Sequence, residues 1–224
     1  MPRQPRIDFG EQYYHVINRA NARVKIFDTD EDYLLFEELL EEAQKLIDMP
    51  ILSYCIMPNH FHLVLNPKKD GDMSLFMKWL TTTHTRKWHV MHETIGSGHL
   101  YQGRYKSFLV QEDSYFMQLC RYVERNPLRA HLVIRAEDWR WSSLWRREKG
   151  TPKQKKMLSR WLISPPKNYL EEINEIDDKD IKESIHRCIT KGKPFGNDDW
   201  VSDAIEKFDL LSSVRNPGRP KRGI

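Results

Sequence analysis

Residues 51–65 read ILSYCIMPNHFHLVL, and this stretch decides the fold. The segments from Ile51 to Met57 and from His60 to Leu65 are rich in aliphatic, β-branched and aromatic residues, which is typical of strands. Pro58 and Asn59 between them favour a turn. The stretch therefore predicts a β-hairpin with strands over 51–57 and 60–65.

Strand and helix patterns alternate on both sides of this hairpin. Leucines recur at helical spacing after Asp28, Thr29 and Asp30, each of which can cap a helix that Pro50 then closes. Pro127 ends the last helix, because the residue before a proline is pushed out of the helical region. The predicted elements are a strand over 11–20, a helix over 31–47, the two hairpin strands, a helix over 73–91, a strand over 100–110 and a helix over 113–126. The first six match a ferredoxin-like split β-α-β sheet with helices on one face, which places the chain in the α+β class.

The character of the chain changes after a tryptophan-rich stretch over 139–145. Residues 150–224 are first lysine-rich, then acidic and then mixed. We therefore predict two parts, a first domain over 1–147 and a mostly helical C-terminal extension over 148–224, with short helices and a basic tail.

The composition excludes several classes of protein. Lys and Arg number 36 against 32 Asp and Glu, so the net charge of +4 excludes a histone-like polycation and an acidic disordered protein. Nucleic-acid binding stays open, because it needs a basic patch and not a basic average.

No apolar run reaches the length of a membrane span, and the N-terminus lacks the apolar core of a signal peptide. Three widely spaced cysteines indicate reduced thiols. We expect a cytoplasmic protein.

His60 and His62 are the first candidate site residues. Side chains alternate along a strand, so the two imidazoles share one face while Phe61, Leu63 and Leu65 share the other. Two imidazoles at this spacing can bind one divalent metal ion. The alternative interpretation is a pair of packed or solvent-exposed histidines without a ligand.

Tyr122 and Asn126 are the second candidate pair. They lie four residues apart and therefore occupy neighbouring positions on one helical face, where a phenol and a carboxamide could serve as nucleophile and metal ligand. Tyr115 is a rival nucleophile in the same helix, but its neighbour four residues on is Leu119, which cannot bind a metal. The alternative is a half-buried tyrosine followed by a helix-capping asparagine.

The predicted strand over 100–110 carries a basic row. Alternation sends Gln102, Arg104 and Lys106 to one face, and Tyr101 and Tyr105 to the other. A basic row with interleaved aromatic residues suits a phosphate backbone and stacked bases. A solvated edge strand that is protected by its charges is the alternative.

Taken together, these motifs resemble a known family. The His-hydrophobic-His segment is similar to that of the single-tyrosine HUH transposases, and the other segments are similar to the REP-associated tyrosine transposases. The resemblance spans about residues 13 to 145 and rests on the segments MPNHFHLVL (57–65), YQGRYKS (101–107), RYVERNPLRA (121–130) and WRWSS (139–143).

The resemblance implies an HUH endonuclease fold and a role for each matched residue. His60 and His62 would be metal ligands for Mg²⁺ or Mn²⁺, and Tyr122 would be the nucleophile. Asn126 would be the third ligand; it stands where the mobile relatives carry Gln, and its Asn-Pro sequence matches the REP-associated branch. Residues 1–147 would then form the catalytic domain.

The activity implied is a metal-dependent single-strand DNA endonuclease and strand transferase that forms a 5′-phosphotyrosine. Its partner would be hairpin DNA of the REP palindromic type beside a single strand, bound by a monomer without a membrane or a nucleotide cofactor, in the bacterial cytoplasm at the nucleoid. Arg219 lies in a Gly-Arg-Pro tail that could enter an A·T-rich minor groove. The other expected DNA contacts are Arg19, Gln102, Arg104, Lys106, Arg121, Arg125 and Arg129.

Two other functions are alternatives for a chain with these motifs. A catalytically silent regulator that binds repeat DNA or RNA would keep the fold without the chemistry, although it would need neither the histidines nor Tyr122. A structural zinc protein is disfavoured, since no further His or Cys is spaced to complete four ligands.

Overall fold

A four-stranded antiparallel sheet forms the centre of the computed structural model, which describes residues 7–161, 163–176 and 178–214. The strand order is β2-β3-β1-β4, which is the order of a ferredoxin-like split β-α-β sheet. The strands are β1 (Tyr13–Arg19), β2 (Ile51–Met57), β3 (His60–Leu65) and β4 (Lys106–Val110). The predicted fold class and both hairpin strands are confirmed.

The fourth strand is shorter than the predicted strand over 100–110. It begins only at Lys106, because the preceding segment bends: residues 102–104 are exposed, while Tyr101 and Tyr105 on either side are both buried. The segment is held to the end of β1 by a hydrogen bond from Gln102 N to Arg19 O (2.9 Å). The two sets of side chains point to opposite sides as predicted, although the backbone there is a loop. The suggested stacking of bases on Tyr101 and Tyr105 does not fit, because both rings are buried.

Two helices cover one face of the sheet, which we call the α1/α2 face. Helix α1 (Asp30–Leu46) begins at a capping box in which Thr29 and Asp32 bond to each other's backbone. Helix α2 (Asp72–Met91) lies beside it. The apolar core between these helices and the sheet contains Phe61, Leu63, Leu65, Phe36, Leu40, Phe76 and Leu80.

Helix α3 (Ser114–Glu124) packs on the opposite face, which we call the α3 face. A separate short helix, α4 (Asn126–Arg129), follows it directly. The prediction of one helix over 113–126 that Pro127 ends is therefore wrong at its C-terminal end. Pro127 lies in the first turn of α4, where its missing N–H costs no helical hydrogen bond.

The C-terminal extension is helical, as predicted, and it packs on the sheet. Ser159 N donates to Ile51 O (2.9 Å), and Phe195 N donates to Leu109 O (2.8 Å), so the extension bonds to both edge strands. The predicted boundary between residues 147 and 148 falls inside α5. The helices are α5 (Ser143–Lys149), α6 (Pro152–Lys155), α7 (Tyr169–Glu172), α8 (Lys179–Lys191), α9 (Asp198–Lys207) and α10 (Leu211–Val214).

Within the described residues, the structure contains no helix that is both long enough and apolar enough to cross a membrane.

Candidate active site

The pairing of β1 with β3 places the histidine pair on the α3 face. His60 is opposite Arg19 and His62 is opposite Ile17. Phe61 between the histidines points into the apolar core of the α1/α2 face. The alternation predicted for this strand is therefore observed, and it leaves both imidazoles under helix α3.

Both imidazoles are neutral near pH 7. Burial and the nearby charge of Arg19 lower the pKa of His60 to about 4. Burial, together with the neighbouring histidines and arginines, holds the pKa of His62 well below its usual value. The two rings are 5.0 Å apart between centroids. His60 Nδ1 donates to Asn59 Oδ1 (2.7 Å), which leaves the lone pair of its Nε2 for a ligand.

A third histidine, His15 on β1, joins this pair. Its Nε2 is 2.8 Å from Nδ1 of His62, in a hydrogen bond between two fully buried rings. When Nδ1 of His62 is the donor of this bond, the lone pair of its Nε2 is left for a ligand. Burial and the charge of His60 lower the pKa of His15 to about 3. Within the described residues, Nδ1 of His15 is buried with no hydrogen-bond partner. His15 was not predicted from the sequence. Alternation along β1 shows on which face of the sheet it lies, but only the pairing of β1 with β3 places it beside His62.

Tyr122 lies beside His62. Helix α3 buries Phe116, Leu119 and Val123 against the sheet, and this amphipathic packing turns Tyr122 inward. The Tyr122 ring is 5.9 Å from the His62 ring and nearly perpendicular to it (85°). Nucleophile and metal-ligand candidates from distant parts of the sequence therefore meet in one place.

Asn126 and Arg129 complete this side of the site. Asn126 Nδ2 donates to the backbone oxygens of Tyr122 (3.1 Å) and Val123 (3.2 Å), so the side chain caps the end of α3. Asn126 Oδ1 accepts a hydrogen bond from Arg129 Nη1 (3.1 Å). The Arg129 guanidinium also lies 4.5 Å from the centroid of the Tyr122 ring.

The C-terminal extension contributes His186, which sequence reasoning also missed. This residue of helix α8 places Nε2 3.3 Å from the phenol oxygen of Tyr122. Burial and the positive charges of Arg129, Lys182 and Arg19 lower the pKa of His186. No local pattern marks this residue, because it lies 64 positions after Tyr122 in a part of the chain with no recognisable motif.

Glu124 attaches helix α3 to the extension. Its carboxylate is fully buried and accepts hydrogen bonds from Ser53 (3.2 Å), Ser143 (2.5 Å) and Tyr169 (2.9 Å). Burial raises the pKa of Glu124, and the three hydroxyl bonds and Arg147 offset part of that rise. Since Tyr169 belongs to α7, the extension helps to hold the helix that carries Tyr122.

Arg125 has the same anchoring role. Its side chain is only 8% exposed, and its Nη1 donates to the backbone oxygen of Ile173 (2.5 Å) in the extension. The predicted phosphate contact does not fit this placement, because a buried guanidinium that is already bonded to a carbonyl cannot reach a DNA backbone. Helical periodicity alone could not reveal this, since the extension is what buries the residue.

Most of the other predicted DNA-binding residues surround the site. Arg121 lines a small cleft beside Tyr122, with Asp178 and Lys182 on its other wall. Arg219 lies outside the described residues. A groove of about 450 Å³ at the end of β1 is lined by four of the predicted residues, Arg19, Gln102, Arg104 and Lys106.

The histidine pair is the part of the site that could hold a metal ion. In the described ranges, no group of three or more His, Cys, Asp or Glu side chains is placed to bind one. His60 and His62 nevertheless fit a divalent cation, because both are neutral and each can keep Nε2 for a ligand. The amide oxygen of Asn126 is the third predicted donor.

Two known proteins are similar to this chain. A protein of Haemophilus influenzae, classed as a candidate REP-associated tyrosine transposase, is 24% identical over 103 residues; the match covers 42% of this chain and 58% of that protein. The solved structure of a REP-associated tyrosine transposase bound to a REP hairpin superposes with a TM-score of 0.54 at 16% identity, covering 68% of this chain and 89% of the other. The likeness confirms the predicted fold.

The match to a family covers the whole sheet and the first-predicted residues of the site. Residues 9–126, just over half of the 224 residues, match the family described as Transposase IS200 like. The matched segment contains the histidine pair, Tyr122 and Asn126. The chain therefore belongs to the family of IS200-like transposases, as its sequence motifs predicted.

Proposed function

We propose that the chain is a metal-dependent single-strand DNA endonuclease and strand transferase, which acts on hairpin DNA through a 5′-phosphotyrosine. The observation that carries this proposal is the meeting of Tyr122 with His62 on the α3 face, 5.9 Å apart between ring centroids. Arg19 and Arg129 beside them supply positive charge where a phosphate would lie.

The reaction would proceed by attack of the Tyr122 phenol oxygen on a phosphorus atom of the strand. A bond forms between that oxygen and phosphorus while the bond from phosphorus to the 3′ oxygen breaks. The 3′ oxygen leaves with the electron pair and takes up a proton to become a free hydroxyl. The phosphodiester energy stays in the tyrosine adduct, so a second 3′ hydroxyl can reverse the step without ATP.

His60, His62 and Asn126 would hold the metal ion, Mg²⁺ or Mn²⁺. When bound, such a cation polarises the scissile phosphate and offsets the charge that grows on its oxygens. Imidazole ligands favour Mn²⁺, whereas Mg²⁺ prefers oxygen ligands. Asn126 Oδ1 accepts a hydrogen bond from Arg129, so ligation by Asn126 requires that this bond be exchanged.

His15 would orient the metal site without touching the metal. Its hydrogen bond to Nδ1 of His62 fixes the ring plane and directs Nε2 of His62 away from the sheet strand that carries His15. Outer partners of this kind commonly change metal affinity ~10–100-fold.

The DNA would lie along the basic groove and over Tyr122. Three exposed residues line this groove. Gln102 and Arg104 lie in the loop before β4, and Lys106 is the first residue of β4. The relative whose structure was solved holds a REP hairpin, which supports a hairpin as the partner here. Tyr122 and both histidines come from one chain, which supports action as a monomer.

Formation of a covalent adduct tests the proposal. The protein is incubated with single-stranded DNA that carries a hairpin and a label at its 3′ end, in the presence of Mn²⁺, and denaturing gels are searched for labelled protein. We expect an adduct from the wild type and none from Tyr122→Phe, since a phenyl ring has no oxygen to attack phosphorus.

Tyr115→Phe is the matched control. Tyr115 lies two turns earlier in α3, where its ring contacts Phe195 and not the histidines, so the adduct should form as in the wild type. If the wild type binds the hairpin tightly and forms no adduct, the enzyme interpretation fails and a silent DNA-binding regulator is left.

A further inference from the structure

Helix α8 of the C-terminal extension lies against the proposed nucleophile. It packs on α3 and on β4, and its buried residues Ile185 and Cys188 belong to the apolar cluster of the α3 face. His186, between them in sequence, is thereby placed with Nε2 3.3 Å from the Tyr122 hydroxyl, and the two rings are nearly perpendicular (89°). Among the contacts of the described residues, this is the one that links the extension to the reacting atom.

Tyr122 needs a proton acceptor at neutral pH. A free phenol has a pKa of about 10, so it is almost entirely protonated at pH 7 and is a weak nucleophile. The imidazoles of His60 and His62 are assigned to the metal, and Asn126 cannot accept a proton. Imidazole is the side chain that most often takes a proton in catalysis.

We infer that His186 accepts the proton of Tyr122 during attack, so that the C-terminal extension completes the active site; this inference rests on the proposed function. The hydroxyl hydrogen of Tyr122 passes to Nε2 of His186 as the phenol oxygen bonds to phosphorus. The departing 3′ oxygen keeps the electron pair of the broken bond and takes a proton from water, and the imidazolium returns its proton to the solvent. Atoms and charge therefore balance over the step.

The surroundings of His186 suit this role. Partial burial and its positive neighbours lower the pKa of the still accessible His186 ring below its usual value, so the neutral form, which can accept a proton, predominates at pH 7. Tyr122 on α3 faces it, and the charges that act on it are those of Arg129 on α4, Lys182 on α8 and Arg19 on β1. All three charges are positive, and they favour negative charge on the phenol oxygen as its proton leaves.

The experiment measures the single-turnover rate of adduct formation by the full chain, on the labelled hairpin with saturating Mn²⁺, between pH 5 and pH 9. Removal of a proton acceptor commonly costs ~10²–10⁴-fold in rate. We expect His186→Ala and His186→Gln to lose at least about 100-fold at pH 7, while hairpin affinity is unchanged. Glu183→Gln, an exposed position one turn earlier on α8, is the control and should keep the wild-type rate.

Two further readouts separate proton transfer from a merely structural role. The wild-type rate should rise through the pKa of His186 and then level off, whereas the variants should lose this step and rise steadily towards the pKa of phenol. Added imidazole should restore part of the rate of His186→Ala, because the residue is exposed enough for a small base to replace it.

Each outcome has one meaning. If the wild type forms the adduct and His186→Gln matches it at every pH, the inference is overturned while the proposed function stands. If His186→Ala is faster than the wild type, α8 covers the site and His186 is not the acceptor. If the wild type forms no adduct at any pH, the proposed function itself fails, and the role of His186 falls with it.

Discussion

The two faces of the sheet are built from the same strands but differ in chemistry. On the α1/α2 face, strand residues such as Phe61 and Leu63 meet two long helices in an apolar core. On the α3 face, the neighbouring residues His60 and His62 lie beneath helix α3, where the His62 ring contacts the Tyr122 ring. Successive residues of β3 thus serve different purposes, because side chains alternate along a strand.

The contrast extends to the polar residues that each face buries. His84 on the α1/α2 face is fully buried, but its ring stacks on Phe27 and its Nδ1 bonds to the Tyr101 hydroxyl (2.7 Å). His15 on the α3 face is equally buried, yet it bonds to a second histidine that faces Tyr122. Burial alone therefore does not identify a histidine as part of a site. The partner of its ring nitrogen does identify it.

The largest expected effect is a difference between two neighbouring residues of β3, one in the apolar core and one that is a candidate metal ligand. Phe61→Ala should lower the free energy of unfolding by about 3–5 kcal/mol, because it leaves a cavity in a dense core. His60→Ala, one residue earlier on the half-exposed α3 face, should cost only about 1 kcal/mol while it weakens Mn²⁺ binding. Urea unfolding and calorimetric titration with Mn²⁺ measure the two quantities. An equal loss of stability in both variants would contradict the view that the α1/α2 face stabilises the fold while the α3 face carries the candidate site.

The second effect compares the two buried histidines. His15→Phe keeps a ring of similar size but removes the bond to His62, so Mn²⁺ affinity should fall ~10–100-fold. His84→Phe on the α1/α2 face is the matched control and should leave Mn²⁺ affinity unchanged. Calorimetric titration of both variants with Mn²⁺ gives the result. If both variants bind Mn²⁺ like the wild type, His15 does not orient the metal site.

The smallest effect concerns a buried carboxylate in the first turn of α1. Burial alone would raise the pKa of Asp32, but hydrogen bonds from the backbone of Thr29 and Asp28 and from His92 hold that pKa below its usual value. A lowered pKa means that the charged form stabilises the fold above the unfolded pKa of about 3.9, and that this stability is lost as pH falls through the folded pKa.

Asp32→Asn should therefore cost about 1–2 kcal/mol at pH 7, which is typical of a lost helix cap, and less at pH 3. Urea unfolding at the two pH values measures the difference. Because Asp32 lies on the α1/α2 face, adduct formation per folded molecule should stay at the wild-type level. A loss of stability that is the same at both pH values would show that the charge of Asp32 is not what stabilises the helix.

Much of this architecture could be predicted from the sequence. The hairpin boundaries at 51–57 and 60–65, the order of elements and the shared face of His60 and His62 all follow from local patterns, since turn residues and side-chain alternation act over a few residues. The role proposed for Tyr122 follows from the resemblance to a family, and the structure places Tyr122 beside His62. The bend over 100–105 was missed because Tyr101 and Tyr105 keep the same face in a strand and in this loop.

Tertiary structure alone decided the rest. His15 meets His62 through strand register, Arg125 is buried by Ile173 of the extension, and His186 reaches Tyr122 from 64 residues away. Each of these contacts joins segments that no local pattern links, and each depends on how the extension or a neighbouring strand packs. The sequence by itself determined the strands, the faces and the candidate residues, because these depend on near neighbours. Only the packed structure decided which side chains share a hydrogen bond, because that depends on distances between elements far apart in the chain.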